Sequence, residues 1–484
     1  MTIARRGLGD LVGASGVTVF RGVPYATARR FAPPQPAERW IGARDATRHG
    51  PIAPQPPSRL RAAMGDFARP QDEECLTLTI ATPAVDDAKR AVIVFLHGGA
   101  YLSGAGSLDW YDGSVLADEG DVVVVGVNYR LGALGFLHLP GVAEGNMGLQ
   151  DMVAALRWVR DNIAIFGGDP ARVTLVGQSA GAHAIMCLLT MWETRGLFDR
   201  AILQSTPAAL APHDRSQARA NADALCRALD AKPEDMAAIP VARIVAAQMQ
   251  VAREVGRFAD VTPPFLPVFD NMSDPGALVR AAAAEAGSRG VALIIGTTRE
   301  EMHAFFAADP AMNPPDPVAM AARFAELNGS ADAASLYRRR RLGATEMDLL
   351  GDLMTDHVFL FPSLALADAV TDAGAEAWVY EFRWAPTGSQ FKACHCIELP
   401  FVFGSFPAWA DAAMLAGGDR AEMSALSSAL RGAWCEFAES GDPHSPGLLW
   451  PPYLRATRQT MCFDTVLGIA GDPSGAVWRG GVEG

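Results

Sequence analysis

Between residues 173 and 189 the chain reads VTLVGQSAGAHAIMCLL, and no other stretch limits its fold so tightly. An apolar β-branched run meets a helix-like apolar run across Ser179, framed by Gly177 and Gly181 in the pattern G-x-S-x-G. A strand that turns straight into a helix strains the backbone at the junction, and only small neighbours let it close. The two glycines supply that room. Such a turn lifts the Ser179 hydroxyl clear of the strand end as a candidate nucleophile. The five-residue frame recurs by chance in many chains. The strand before it and the helix after it set this one apart.

Similar apolar runs recur along the chain: AVIVFLHGG (91–99), DVVVVGVNYR (121–130), AILQS (201–205), VALIIG (291–296) and AWVYEF (377–382). They are continuous rather than alternating, as parallel strands covered on both faces require. Helical spacing separates them, most clearly in GLQDMVAALRWVRDNIAIFG (148–167). Strand and helix in alternation predict an α/β fold with a mostly parallel central sheet and helices on both faces.

The chain has 484 residues, 50% of them hydrophobic, enough for a large core. Length alone would allow two or three domains. No Ser/Gly-rich or charged linker and no fixed-period repeat divides it. The expectation is one domain, 1–484, whose helical insertions at roughly 207–290 and 307–375 roof the carboxyl edge of the sheet as a cap or regulatory region. A formal charge of −13 argues against nucleic-acid or anionic-membrane partners. No apolar run reaches the ~20 residues of a membrane span. Arg5 and Arg6 precede no apolar segment of signal-peptide length, and seven cysteines, an odd number, suit reduced thiols. A cytoplasmic location is expected.

Ser179 needs a base, an oxyanion pocket and an acid that orients the base. The loop HGGAYLSGAGS, from His97, follows a strand and lets the backbone N–H groups of Gly99 and Ala100 approach an oxygen, with Ala180 as a third donor. Chains built on this elbow supply the partners in the order Ser, acid, His. That order favours His395 in KACHCIELPFVFG. His183, four residues after Ser179 on the same helix, and His357 read as packing residues. Cys394 and Cys396 flank His395, but three adjacent ligands cannot wrap one zinc ion, and neither metal nor cofactor is expected. For the acid, GTTREEM offers Glu300 and Glu301, and spacing does not choose between them.

Taken together the motifs resemble the type B carboxylesterases, the cholinesterase-like branch of the α/β-hydrolases. FRGVPYA (20–26), EECLTLTIATP (73–83), VNYRLGALGFL (127–137), GNMGLQDMVAALRWVRDNIAIFGGDP (145–170) and ELPFVFG (398–404) follow that family in order over nearly the whole chain. HGGAYLSGAGS and GTTREE are most similar to bacterial para-nitrobenzyl esterases. The resemblance implies an α/β-hydrolase fold and a serine esterase acting on small-molecule esters. It implies Ser179 as nucleophile, Glu301 as acid, His395 as base, and Gly99, Ala100 and Ala180 as oxyanion donors. It implies Ser205 and Glu398 as buried supports of the histidine and an ion pair between Arg30 and Glu73 that clamps the N-terminal loop.

Four departures carry information. Gln178 stands where the family usually has Glu, so the pocket beside the nucleophile loses a negative charge. Met302 replaces a glycine after the acid and would reshape the adjacent wall. Cys75 faces Ala53 where secreted members place a disulfide partner, and the loop 53–75 has no Trp to hold a quaternary ammonium. An amidase or carbamate hydrolase using the same site, and a non-catalytic binding protein of this fold, are the alternatives. Oligomeric state, monomer or homodimer, is open.

Overall fold

The computed structural model describes residues 2–5, 10–13, 16–329, 333–445 and 447–472, the first two stretches as backbone only. Arg6, and residues 330–332 within the second expected insertion, lie outside the described residues.

Ten strands form the central sheet: β1 (Thr18–Pro24), β2 (Thr77–Thr82), β3 (Arg90–Leu96), β4 (Val123–Val127), β5 (Gly168–Gln178), β6 (Arg200–Gln204), β7 (Ala292–Thr298), β8 (Ala377–Phe382), β9 (Gln459–Phe463) and β10 (Gly468–Gly471). Their order across the sheet is β10-β9-β8-β7-β6-β5-β3-β4-β2-β1. Strands β3 to β9 run parallel, and the antiparallel strands sit at the two edges. All five residues of β4 are buried, as are the last six of β3, so the continuous apolar runs meet protein on both faces. Because successive side chains alternate, each strand feeds two cores. Val92, Val94 and Leu96 of β3 enter one, and Ala91, Ile93 and Phe95 enter the other.

Packed around the sheet and on one another are, among others, α1 (Met147–Asn162), α2 (Ala180–Thr190), α3 (Arg215–Leu229), α4 (Val241–Val255), α5 (Pro275–Arg289), α6 (Glu346–Thr355), α7 (Phe361–Asp372) and α8 (Arg420–Ser440). The first seven bury their apolar faces in one core, while Leu430, Trp434 and Phe437 of α8 fill the other. Helix α1 ends in a 3₁₀ turn (Ile163–Phe166) closed by Gly167 at φ 81°, so the predicted helix 148–167 stops about one turn early. Asp419 caps α8 by accepting from the Ala421 and Glu422 amides at 2.9 Å.

The expected insertions divide between two tasks. Helix α5 packs on α2 and α7, and α7 packs under β7 and β8, so both cover the sheet rather than the cavity described below. Glu346–Asp372 is one continuous helical stretch of 27 residues, with mean hydropathy 1.3 in its most apolar window. Two thirds of that window (67%) is buried inside the protein, and Leu349, Leu353, Leu364 and Val370 of the stretch are core residues. That packing accounts for its apolar composition.

Candidate active site

Five parallel strands, β3 and β5 to β8, end beside one another, and the loops leaving their carboxyl ends carry the predicted nucleophile, acid, base, oxyanion donors and buried supports. Ser179 sits between β5 and α2 with φ 55° and ψ −120°, a conformation L-residues rarely adopt. Its N–H donates to the Gln204 carbonyl at 2.8 Å and its carbonyl accepts from the His183 amide at 2.9 Å, which hold the turn. A Cβ on Gly181 would come 2.0 Å from the Leu96 carbonyl oxygen, and one on Gly177 would come 2.5 Å from the Gly181 carbonyl carbon. Both glycines are therefore demanded by close backbone approach.

The loop after β3 folds back on itself. Gly99, Ala100 and Tyr101 have φ of 111°, 56° and 57°. Leu102 and Ser103 amides close the turn on the Gly99 carbonyl at 2.9 and 3.1 Å. Among the described residues neither the Gly99 nor the Ala100 amide has a protein acceptor. Ala180, first residue of α2, has no carbonyl one turn behind it in the helix. All three line one cavity with Ser179 and His395. Gln55 clamps the far end of the loop, its Nε2 donating to the Gly104 carbonyl at 2.9 Å and its Oε1 accepting from the Gly104 amide at 2.6 Å. The sequence reading missed this residue, for nothing local marks it.

His395 is buried and lies between the rings of Phe305 and Phe359, with centroids 5.5 and 5.1 Å away. Its Nδ1 is 2.5 Å from Glu301 Oε2, so Nδ1 carries the proton and donates to the carboxylate. The other Glu301 oxygen accepts from the Thr298 amide at 2.8 Å, and the His395 amide reaches back to the Glu301 carbonyl at 3.2 Å. Nε2 is left as an acceptor, and the Gln178 amide nitrogen stands 3.2 Å from it.

Glu300 is separated from this chain of contacts. It is buried, and its Oε1 accepts from Arg299 and Arg341 at 2.9 Å each. It is not the solvated acid that a lone Glu suggests. Glu398 is fully buried, and burial beside Glu301 pushes its carboxyl up to about 8. The Ser205 hydroxyl is near enough to favour the Glu398 carboxylate, but no well-formed hydrogen bond joins them. Neither residue hydrogen-bonds His395 among the described contacts. Met302 is buried in the core and absent from the cavity wall, which Phe305 forms instead.

His183 is a packing residue. Tyr101 donates to its Nδ1 at 2.8 Å, it contacts the Leu210 carbonyl through Nε2 at 2.9 Å, and burial pushes it down to about 4. Cys394 and Cys396 are buried free thiols, and no cluster among the described residues could hold a metal ion. Cys75 is likewise free and buried. Arg30 and Glu73 form a two-bond ion pair at 2.8 and 2.5 Å, and Arg30 also binds the Ala237 and Ile239 carbonyls. A buried pair that the sequence did not announce, Arg130 and Asp151, joins VNYRLG to α1 at 2.8 and 2.7 Å. A wider surface groove along α1, beside Tyr25, Arg157 and Trp158, holds none of the predicted site residues.

A family model described as the carboxylesterase family matches residues 8–468. The chain is 41% identical over 460 residues to a probable N-octanoylanthranilate hydrolase of Rhodococcus erythropolis, covering 93% of this chain and 95% of the relative. It is 36% identical over 471 residues to the para-nitrobenzyl esterase of Bacillus subtilis, covering 95% and 94%. Among solved structures it is similar to a Geobacillus stearothermophilus carboxylesterase, with a TM-score of 0.86 and 34% identity over 99% of this chain and 100% of that one.

Proposed function

The chain belongs to the carboxylesterase family and is a carboxylic-ester hydrolase of α/β-hydrolase fold; from that premise we propose that it works through an acyl-enzyme on Ser179, with His395 as base and Glu301 as the acid that orients it. The observation that carries this reading is the 2.5 Å contact between Glu301 and Nδ1 of an imidazole that shares a cavity with Ser179. The carboxylate fixes the tautomer, so the lone pair lies on Nε2, the nitrogen a serine proton needs.

Ser179 Oγ attacks the ester carbonyl as its proton passes to Nε2, where the Gln178 amide must yield its place. The Gly99, Ala100 and Ala180 amides hold the oxyanion. As the tetrahedral adduct collapses, the carbon–oxygen bond to the alcohol breaks and His395 returns the proton to the leaving oxygen. A water molecule then gives a proton to Nε2, attacks the acyl carbon and releases the acid, restoring the Ser179 hydroxyl. Glu398, buried beside Glu301 with Ser205 close by, supports the relay by packing rather than by a hydrogen bond to His395. The Arg30–Glu73 pair holds the N-terminal loop against the segment at 237–239. We place the enzyme in the cytoplasm, as one domain, with the loops around Pro207, Leu210, Val261 and Pro263 and the helical turn at Phe359 as its roof.

The Rhodococcus relative, described as acting on an N-octanoyl compound, supports a second substrate class, N-acyl amides, at the same site. Comparing kcat/KM for an ester and its amide isostere ranks the two. The test of the main reading is Ser179→Ala assayed on a short-chain 4-nitrophenyl ester. Turnover should fall below about a thousandth of the parent enzyme. Activity surviving above that level would remove Ser179 from the chemistry.

A further inference from the structure

The cavity that holds Ser179 and His395 is walled by Met64, Phe67, Trp110, Tyr111, Phe305 and Phe359, among other apolar and small residues. Arg59 is the one fixed charge in that wall; among the described residues no Asp, Glu or Lys lines it. The Arg59 guanidinium lies over the face of Phe305, Cζ 5.9 Å from the ring centroid. The same ring packs on the His395 imidazole at 5.5 Å. One aromatic side chain thus separates a cation from the proton relay.

Among the described residues that cation has a single hydrogen bond and no ion pair. Nη2 donates to the Val261 carbonyl at 3.0 Å, which uses one of five N–H donors. No carboxylate among the described residues stands within the 4.0 Å of an ion pair with Arg59. Asp260 is the neighbouring acid, and its Oδ1 is already accepting from the Thr262 amide at 2.9 Å and hydroxyl at 2.6 Å. The guanidinium, whose charge Asp260 favours, is a full cation at neutral pH. The residue also keeps an open side to solvent, which stabilises it while unpaired. A second observation has the same sign. The side chain next to the nucleophile is the neutral Gln178, so no carboxylate there opposes an incoming anion.

We propose that Arg59 docks a carboxylate carried by the substrate, and that the enzyme selects carboxylate-bearing esters over neutral isosteres. The planar fork can hold a carboxylate through two parallel hydrogen bonds while the ester group sits at Ser179. The inference rests on the hydrolytic reading above and assigns its substrate class.

Two matched pairs test it. The mono-4-nitrophenyl ester of glutaric acid against 4-nitrophenyl butyrate places the charge on the acyl side. Acetylsalicylate against its methyl ester places it on the leaving group. In Arg59→Met, kcat/KM should fall about 10- to 100-fold for the charged member of at least one pair, the range expected for a lost charge-assisted hydrogen bond. The neutral members should change less than about threefold, and Arg59→Lys should recover part of the loss, as a point charge without the fork. Benzoate should inhibit neutral-ester turnover competitively in the parent enzyme and not in Arg59→Met, while benzamide should not distinguish them. Equal losses on both members of each pair, or benzoate inhibition unchanged by the substitution, would overturn the proposal. If the parent enzyme hydrolysed none of the four esters, the hydrolytic reading would fall. Calorimetric binding of benzoate to the parent and to Arg59→Met would still decide what Arg59 holds.

Discussion

At residue 178 the difference between an amide and a carboxylate reaches straight into the relay. The Gln178 nitrogen lies 3.2 Å from His395 Nε2 and can donate to it without carrying charge. Gln178→Glu would replace that donor by a carboxylate, and kcat/KM for a neutral ester should fall about 3- to 10-fold while the melting temperature holds. Unchanged turnover would show that the side chain at 178 does not face the imidazole in solution. The two adjacent acids teach a related lesson. Glu300 and Glu301 are indistinguishable by type and position, yet one binds two arginines and the other a histidine. Arg341 and His395 come from 41 and 94 residues further on, and the adjacent Arg299 precedes both acids, so local sequence does not make the choice; only the family resemblance made it.

Among the elements, the elbow from β5 to α2 was the most legible, because a strained turn demands glycines at fixed offsets. Gly181→Ala would drive a methyl group into the Leu96 carbonyl of β3, 2.0 Å away, and push α2 off the sheet. Overpacking of this kind costs roughly 1–3 kcal/mol and would displace Ser179 with it. Thermal unfolding should shift down and ester turnover fall by more than about a hundredfold. Gly432 in α8 is the control. Its Cβ would meet nothing within 4 Å and its φ is ordinary, so Gly432→Ala should raise stability by about 0.5–1 kcal/mol and leave activity alone. The helices α5 and α7 were less legible. Their Ala-rich patterns fit a roof or a sheet-covering layer equally well, and the choice depended on strands β7 and β8, against which α7 packs, and on α2 and α7, against which α5 packs.

Across the whole molecule, two ion pairs of similar geometry should differ in weight because they differ in exposure. Arg130 and Asp151 are 5% and 0% exposed, while Arg30 and Glu73 are 16% and 30% exposed. Arg130→Met strands Asp151 in the core and should cost about 3–5 kcal/mol. Arg30→Met leaves Glu73 to water and should cost about 1 kcal/mol, read in both cases from urea or thermal unfolding. Similar losses for the two would mean that burial does not govern them.

By itself the sequence determined the alternation of buried strands and helices, the nucleophile turn and the glycine loop facing it, since each follows from spacing and side-chain size over a few residues. Only the tertiary structure brought Glu301 to His395, Gln55 to Gly104 and Arg59 to the cavity wall, because those contacts join segments tens to hundreds of residues apart. Local preference acts along the chain. A proton relay, and the charge that greets its substrate, exist only where the packed sheet brings distant loops to one edge.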